Sequence, residues 1–280
     1  MSKRRALCFC SRMTLLTVTS LVAVLLLSGC ELSPQVPNAA KQNYPGIIKD
    51  AADRREKAER EWRRMLDSNA VPPTPPDLYP VTGTPRSLLG VSGGIKLLNN
   101  KPETGTETFA VRAAMKAFMD RWRELLLADP ETVSLMSADV SGDTERLTYR
   151  QGNYPYPIAG NFGEMVAVIS KDGRLLQLDD RFITIVDLPS KPSIERDVAA
   201  KKVVGRTFSY TDIAGREQRT PMGDPNEVHV KRLVVLPIEK ADAIKVHLAW
   251  EVIAGKSLSW TVYIDAVTGE ELRVSQNFQT

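Results

Sequence analysis

Between residues 227 and 276 apolar and polar positions alternate with a period of two, the pattern of strands that bury one face. The runs are 227–238, 243–254, 259–265 and 270–276. In 243–254, Val246, Leu248, Trp250 and Val252 alternate with more polar positions. In 259–265, Trp260, Val262 and Ile264 fall on one face and Thr261, Tyr263 and Asp265 on the other, which predicts a half-buried strand. Thr268-Gly269 supplies the following turn, since glycine takes the positive φ that a sharp reversal often needs. Upstream, 146–151, 164–170 and 174–180 read as strands, the last two joined at Lys171-Asp172-Gly173, and 182–188 as a further strand of that sheet.

Elsewhere the period changes to that of a helix. Ile48, Ala51/Ala52, Ala58, Trp62 and Met65 predict a helix over 47–66, with Arg55 interrupting the stripe. Glu56 and Arg60, and Glu59 and Arg63, form favourably oriented pairs along it. Val111, Ala114/Met115, Phe118, Trp122 and Leu125/Leu126 predict a second helix over 107–128, stopped by Asp129-Pro130. A third starts near Pro192, with Ser193 as N-cap, Glu195 in the first turn, and Ile194, Val198, Ala199 and Val203 on its inner side. Helix-then-antiparallel-strands thus occurs twice, which predicts an α+β protein with a helix packed on each sheet.

The remaining segments divide the chain. Residues 30–46 are polar, contain three prolines and read as a tether. A charged amphipathic helix follows at 47–68, then a spacer at 69–86 with six prolines between Pro72 and Pro85. The two α+β domains occupy 87–188 and 189–280.

Composition alters this picture only at the start. The formal net charge is +3, but Lys3, Arg4, Arg5 and Arg12 lie in an acid-free first 29 residues. Of 37 basic residues, 37 − 4 leaves 33 against 34 acidic, a net of −1 that gives no argument for nucleic-acid binding. Residues 1–29 carry a basic start and a mostly apolar run from Met13 to Leu27, the length of a signal h-region and short for a membrane span. The run ends in Leu27-Ser28-Gly29-Cys30, which resembles the lipobox of bacterial lipoproteins. That resemblance implies removal of 1–29 and acylation of Cys30, an effectively permanent membrane anchor. Cys8 and Cys10 would leave with the signal, so the mature chain would have no disulfide. Glu31, where an Asp would imply retention in the inner membrane, implies the outer membrane, facing the periplasm.

Zinc-protease, phosphate-loop and dinucleotide patterns are not found. The chain has two histidines, His229 and His247, in predicted strands 18 residues apart, and neither belongs to an H-E-x-x-H zinc motif. No P-loop or dinucleotide-binding glycine pattern occurs. Asp139, Asp143 and Glu145 lack the ligand spacing of a calcium loop and read as a polar turn. Asp265 starts a turn and is expected to bond its own backbone.

Two stretches resemble known modules. Leu248 to Leu272 resembles the PepSY domain, whose hallmark is a W-x-V strand followed by a strand ending D-A-x-T-G-E. Thr148 to Leu178 is similar to the FTP domain of fungalysin and thermolysin propeptides, with Gln151, Pro157, Gly160, Gly163 and Lys171-Asp172-Gly173-Arg174 in the comparable places. The FTP-like stretch departs from that pattern in a longer loop over 154–164. The resemblance implies an FTP-like then a PepSY-like unit of cystatin-like topology, a tandem that precedes, folds and inhibits a secreted zinc metalloprotease. The protease itself is missing here. The expectation is therefore a non-enzymatic, lipid-anchored protein with no cofactor, metal or catalytic residue. It would bind a protease, peptide or envelope protein in trans, as inhibitor or chaperone. The alternative is an accessory subunit of an envelope or secretion assembly, docked through helix 47–68.

Overall fold

The computed structural model describes residues 43–88, 90–99 and 107–279. The signal segment, Cys30 and most of the tether lie outside the described residues.

The order begins with strand β1 (Gly46–Lys49), helix α1 (Ala52–Ser68) and short strands β2 (Asp77–Leu78), β3 (Pro85–Ser87) and β4 (Ile95–Lys96). Helices α2 (Glu107–Arg121) and α3 (Arg123–Leu126) follow, then strands β5 (Val133–Ser141), β6 (Thr144–Gln151), β7 (Glu164–Ser170) and β8 (Arg174–Asp180). The second half has helix α4 (Arg196–Lys201), hairpin β9 (Thr207–Thr211) and β10 (Glu217–Pro221), and strands β11 (Val228–Glu239), β12 (Ala243–Ala254), β13 (Trp260–Asp265) and β14 (Glu271–Gln276). Both large sheets are antiparallel: β4-β8-β7-β6-β5, and a second in which β11 flanks β12 on one side while β1 and β13 share its other side. The protein is α+β.

The first sheet packs on three helices. Val111, Met115, Phe118, Trp122, Leu125 and Leu126 meet Leu147, Met165, Ala167, Ile169 and Leu178 in one core. Ala58, Trp62, Met65 and Leu66 of α1 belong to the same core and are fully buried. Burying a side chain of that size contributes about 1.5–3 kcal/mol, so the charged helix is held by its own domain. Its other anchors are polar: Trp62 Nε1 donates to the Thr74 carbonyl at 2.7 Å, and Arg54 donates to the carbonyls of Thr82 and Leu125. The proline-rich stretch after α1, expected as a spacer, therefore lies along the helix, with Val71, Leu78 and Leu88 against the core.

Several local expectations are corrected. Residues 46–49 form a strand paired with β12, so the helix expected from 47 begins at Ala52. The helix expected over 107–128 breaks at Trp122 and ends at Leu127, which takes a left-handed φ of 50°. The third helix begins at Arg196; Ser193 is not its cap, its amide bonding instead to the Ala266 carbonyl. Val198, expected inside, is 43% exposed, while Ala199 and Val203 are buried.

No strand forms over 182–188. There the side chain of Gln151 replaces a ladder, its amide donating to the Ile183 carbonyl and its oxygen accepting the Ile183 amide. Strands β5, β9 and β10 were not anticipated: a bulge breaks the period of β5, β9 alternates over only five residues, and β10 has no apolar residue before Pro221.

The expected half-buried strand at 260–265 is buried throughout. Trp260, Val262 and Ile264 meet Ala199, Val203, Phe208 and Met222 from α4 and the β9-β10 hairpin. On the other face Tyr263 packs with Ala159, Val234, Leu236 and Ala249. The loop carrying Pro157, Gly160 and Gly163 is responsible. The Pro157 carbonyl accepts the Val235 amide, and the Ala159 amide donates to the Val235 carbonyl, which staples the loop of the first half to β11.

Candidate functional site

Two places combine unusual exposure or unusual burial with polar chemistry: the outer edge of β5 and the carboxylate of Asp265.

Strand β5 ends its sheet and, among the described residues, pairs only with β6. Nine residues of an edge strand present a row of outward backbone donors and acceptors, which is a template for another strand. The alternation of its side chains changes at a bulge between Leu135 and Ser137. Val133, Leu135, Ala138 and Val140 lie opposite buried residues of β6, so they face the helix side of the sheet. The helices do not cover all of them: Leu135 is 39% and Val140 60% exposed, and Met136 in the bulge is 63% exposed. Val140 also lines a hollow of about 150 Å³ with Thr108 and Val111 of α2 and Ile169 of β7. On the opposite face Ser134, Ser137 and Asp139 project, and Ser137 donates to Asp139 at 3.2 Å. One charge in nine residues leaves the strand weakly defended against pairing.

The hairpin after β13 is built on Asp265. Its Oδ1 accepts the amides of Val267 and Thr268 at 2.8 and 2.9 Å, the expected bonding of an aspartate to its own turn. Gly269, at φ +77°, closes that turn with its amide on the Asp265 carbonyl. Three further contacts were not expected. Tyr44 donates its phenol to the carboxylate at 2.9 Å, and His247 Nδ1 lies 2.8 Å from Oδ2. The Tyr44 oxygen in turn accepts the Leu248 amide at 3.0 Å. Burial raises the Asp265 carboxyl, but the bonds from His247, the two amides and Tyr44 outweigh it and hold the group below the usual carboxylate range. An ionised carboxylate only accepts, so Nδ1 of His247 carries the proton. The phenol of Tyr44 is pushed up, first by burial and then by the charge of Asp265.

The other residues singled out from the sequence are dispersed. His229 is exposed on β11, and His247 lies on β12. Asp139, Asp143 and Glu145 contact Ser137, Lys171 and Arg112 respectively. Among the described residues no three His, Cys, Asp or Glu side chains gather in a way that could hold a metal ion. No described helix is long and apolar enough to cross a membrane. The Tyr44–Asp265 contact joins residues 221 positions apart and left no local trace. The only available signal was an aromatic residue inside an otherwise polar tether.

No family model matches the sequence, and no curated protein matches it either. Among solved structures the chain is similar to the Bacillus megaterium YpeB C-terminal domain, with 15% identity. The match covers 81% of this chain and 98% of that one, with a TM-score of 0.34. A likeness of that size assigns neither a shared fold nor a shared activity.

Proposed function

We propose that this protein is a non-enzymatic binding module, held to the outer membrane through lipid on Cys30 and facing the periplasm. It captures an extended segment of a protease, peptide or envelope protein in trans, as inhibitor or chaperone. The open edge of β5 carries this reading. A segment added there would complete the backbone ladder and lay alternate side chains over Leu135 and Val140. The resemblance of Thr148–Leu178 and Leu248–Leu272 to FTP and PepSY modules supports the same class of partner.

The test is titration of the purified chain into a co-secreted thermolysin-type metalloprotease, with a Leu135→Lys/Val140→Lys variant alongside. Both sites are exposed, so the variant keeps its fold, and lysines on an edge strand block pairing. Inhibition by the parent and its loss in the variant is the expected result. Equal effects of both proteins, or binding of neither, would sink the edge as the site. Stoichiometric zinc in the pure protein would reopen an enzymatic reading.

A second reading, an accessory subunit docked through α1, is favoured by one feature. A groove of about 760 Å³ runs between Arg55, Glu59 and Arg63 of α1 and the segment from Pro73 to Pro80. Because α1 fills the first core, deleting it would unfold its own domain. Charge reversal at Arg55 and Arg63 is the usable variant: it abolishes assembly under this reading and leaves β5-dependent capture intact under the first.

A further inference from the structure

We infer that the segment taken up by β5 has an uncharged interior of about nine residues and is basic at both ends. This rests on the reading of β5 as the binding edge and names the chemistry of its partner.

The acidic residues around β5 bracket it. Asp129 and Glu131 precede the strand, and Asp143 and Asp172 sit at its far end, where the turns before β6 and β8 meet. Glu131 is 83% exposed and Asp143 97%. Lys116 and Lys171 approach them only loosely, at 3.8 and 3.5 Å. Exposed pairs of that kind are weak, so both carboxylates remain able to take a better partner. Within the strand Asp139 is the single charge. It turns to Ser137 and makes no ion pair with Arg146, its cross-strand neighbour on β6.

The same brackets argue against a second copy of this chain as the occupant. Antiparallel pairing of two β5 strands centred on Ser137 sets Glu131 of one copy opposite Asp143 of the other, at both ends. Like charges directly opposite each other are unfavourable. A segment with lysine or arginine at either end turns both contacts into attractions. Between those ends, apolar side chains at alternate positions would meet Leu135 and Val140, with hydroxylic or small ones on the other face beside Ser134 and Ser137.

The experiment uses the purified full chain and two fluorescent peptides. Each has an alternating threonine–valine interior of about nine residues; one ends in lysine on both sides and the other in glutamate. Fluorescence anisotropy at low salt is expected to show about tenfold tighter binding of the lysine-ended peptide, shrinking in about 0.5 M salt. Glu131→Lys with Asp143→Lys should invert the preference; both positions are exposed, and melting curves check that the variant folds. If both peptides bind equally and Leu135→Lys/Val140→Lys abolishes both, the charge brackets are overturned while the edge stands. If neither binds and exchange of the β5 amides is unchanged, the edge itself falls, and this inference with it. A shift of the chain to dimer, abolished by those same two lysines, would overturn it in favour of self-pairing.

Discussion

The phenol of Tyr44 hydrogen-bonds the carboxylate of Asp265 at 2.9 Å, closing a gap in the second sheet. Strand β12 is longer than either neighbour on that side. Strand β1 pairs with it as far as Val246, and β13 ends at Asp265, opposite Ala249. Between those two ladders the Leu248 amide donates to Tyr44, and the Leu248 carbonyl accepts the Ala266 amide. One aromatic side chain thus seals the junction of three strands and fixes where the chain enters the domain.

Tyr44→Phe keeps the ring and removes the hydroxyl. It deprives a buried carboxylate of a donor and the Leu248 amide of its acceptor, a loss of about 1.5–3 kcal/mol. The expected result is a lower urea midpoint with an unchanged slope.

Asp265 links the same junction to pH. Its folded carboxyl lies below the usual range, so its contribution is present above the unfolded value of about 3.9. That contribution is lost as pH falls through the lower, folded value. Asp265→Asn should be less stable at pH 7 by about 1–3 kcal/mol. Its melting temperature should fall less than that of the parent on acidification from about pH 5 towards pH 2.

Asp180 behaves in the opposite sense. It is fully buried at the end of β8, accepting the Phe182 amide at Oδ1 while Oδ2 finds no partner among the described residues. Burial raises its carboxyl well above the usual range, more than the Phe182 amide and the nearby Arg54 lower it. A raised carboxyl stabilises the fold most below about pH 3.9, and that contribution is lost as pH rises towards the folded value. Asp180→Asn keeps the acceptor for Phe182 without the ionisable group. It should match the parent near pH 3 and melt higher than the parent at pH 7.

Trp62→Ala tests whether α1 belongs to the domain. A fully buried tryptophan that also donates to the Thr74 carbonyl should cost about 3–5 kcal/mol on truncation. A helix merely resting on the surface would lose under 1 kcal/mol. Thermal melts of the whole chain separate the two.

How much of this was legible beforehand follows from what a periodic pattern encodes. Strands β7, β8 and β12 appear in the structure with the limits expected from their apolar alternation, because alternation is a local signal of one covered face. The stripe running from α2 into α3 was equally plain, and all its expected large apolar residues are buried. Strand β5 was not legible: its apolar residues lie partly uncovered and the bulge at Leu135 breaks the period. The feature that makes it a candidate binding edge is therefore the one that hid it. Gln151 was marked by resemblance, but its role in holding Phe182–Ile183 in place of a ladder required the fold.

The sequence by itself determined the α+β class, the Asp265 turn and the absence of zinc-protease, phosphate-loop and dinucleotide patterns. Each of these rests on residues close together in the chain. The tertiary structure decided what covers each face and which edge stays open. It threaded the start of the domain into its last sheet, buried both faces of β13, and brought Tyr44, His247 and Asp265 together. Such pairings come from closing long loops against packed surfaces, and a period of two or of 3.6 records that a face is covered without naming its cover.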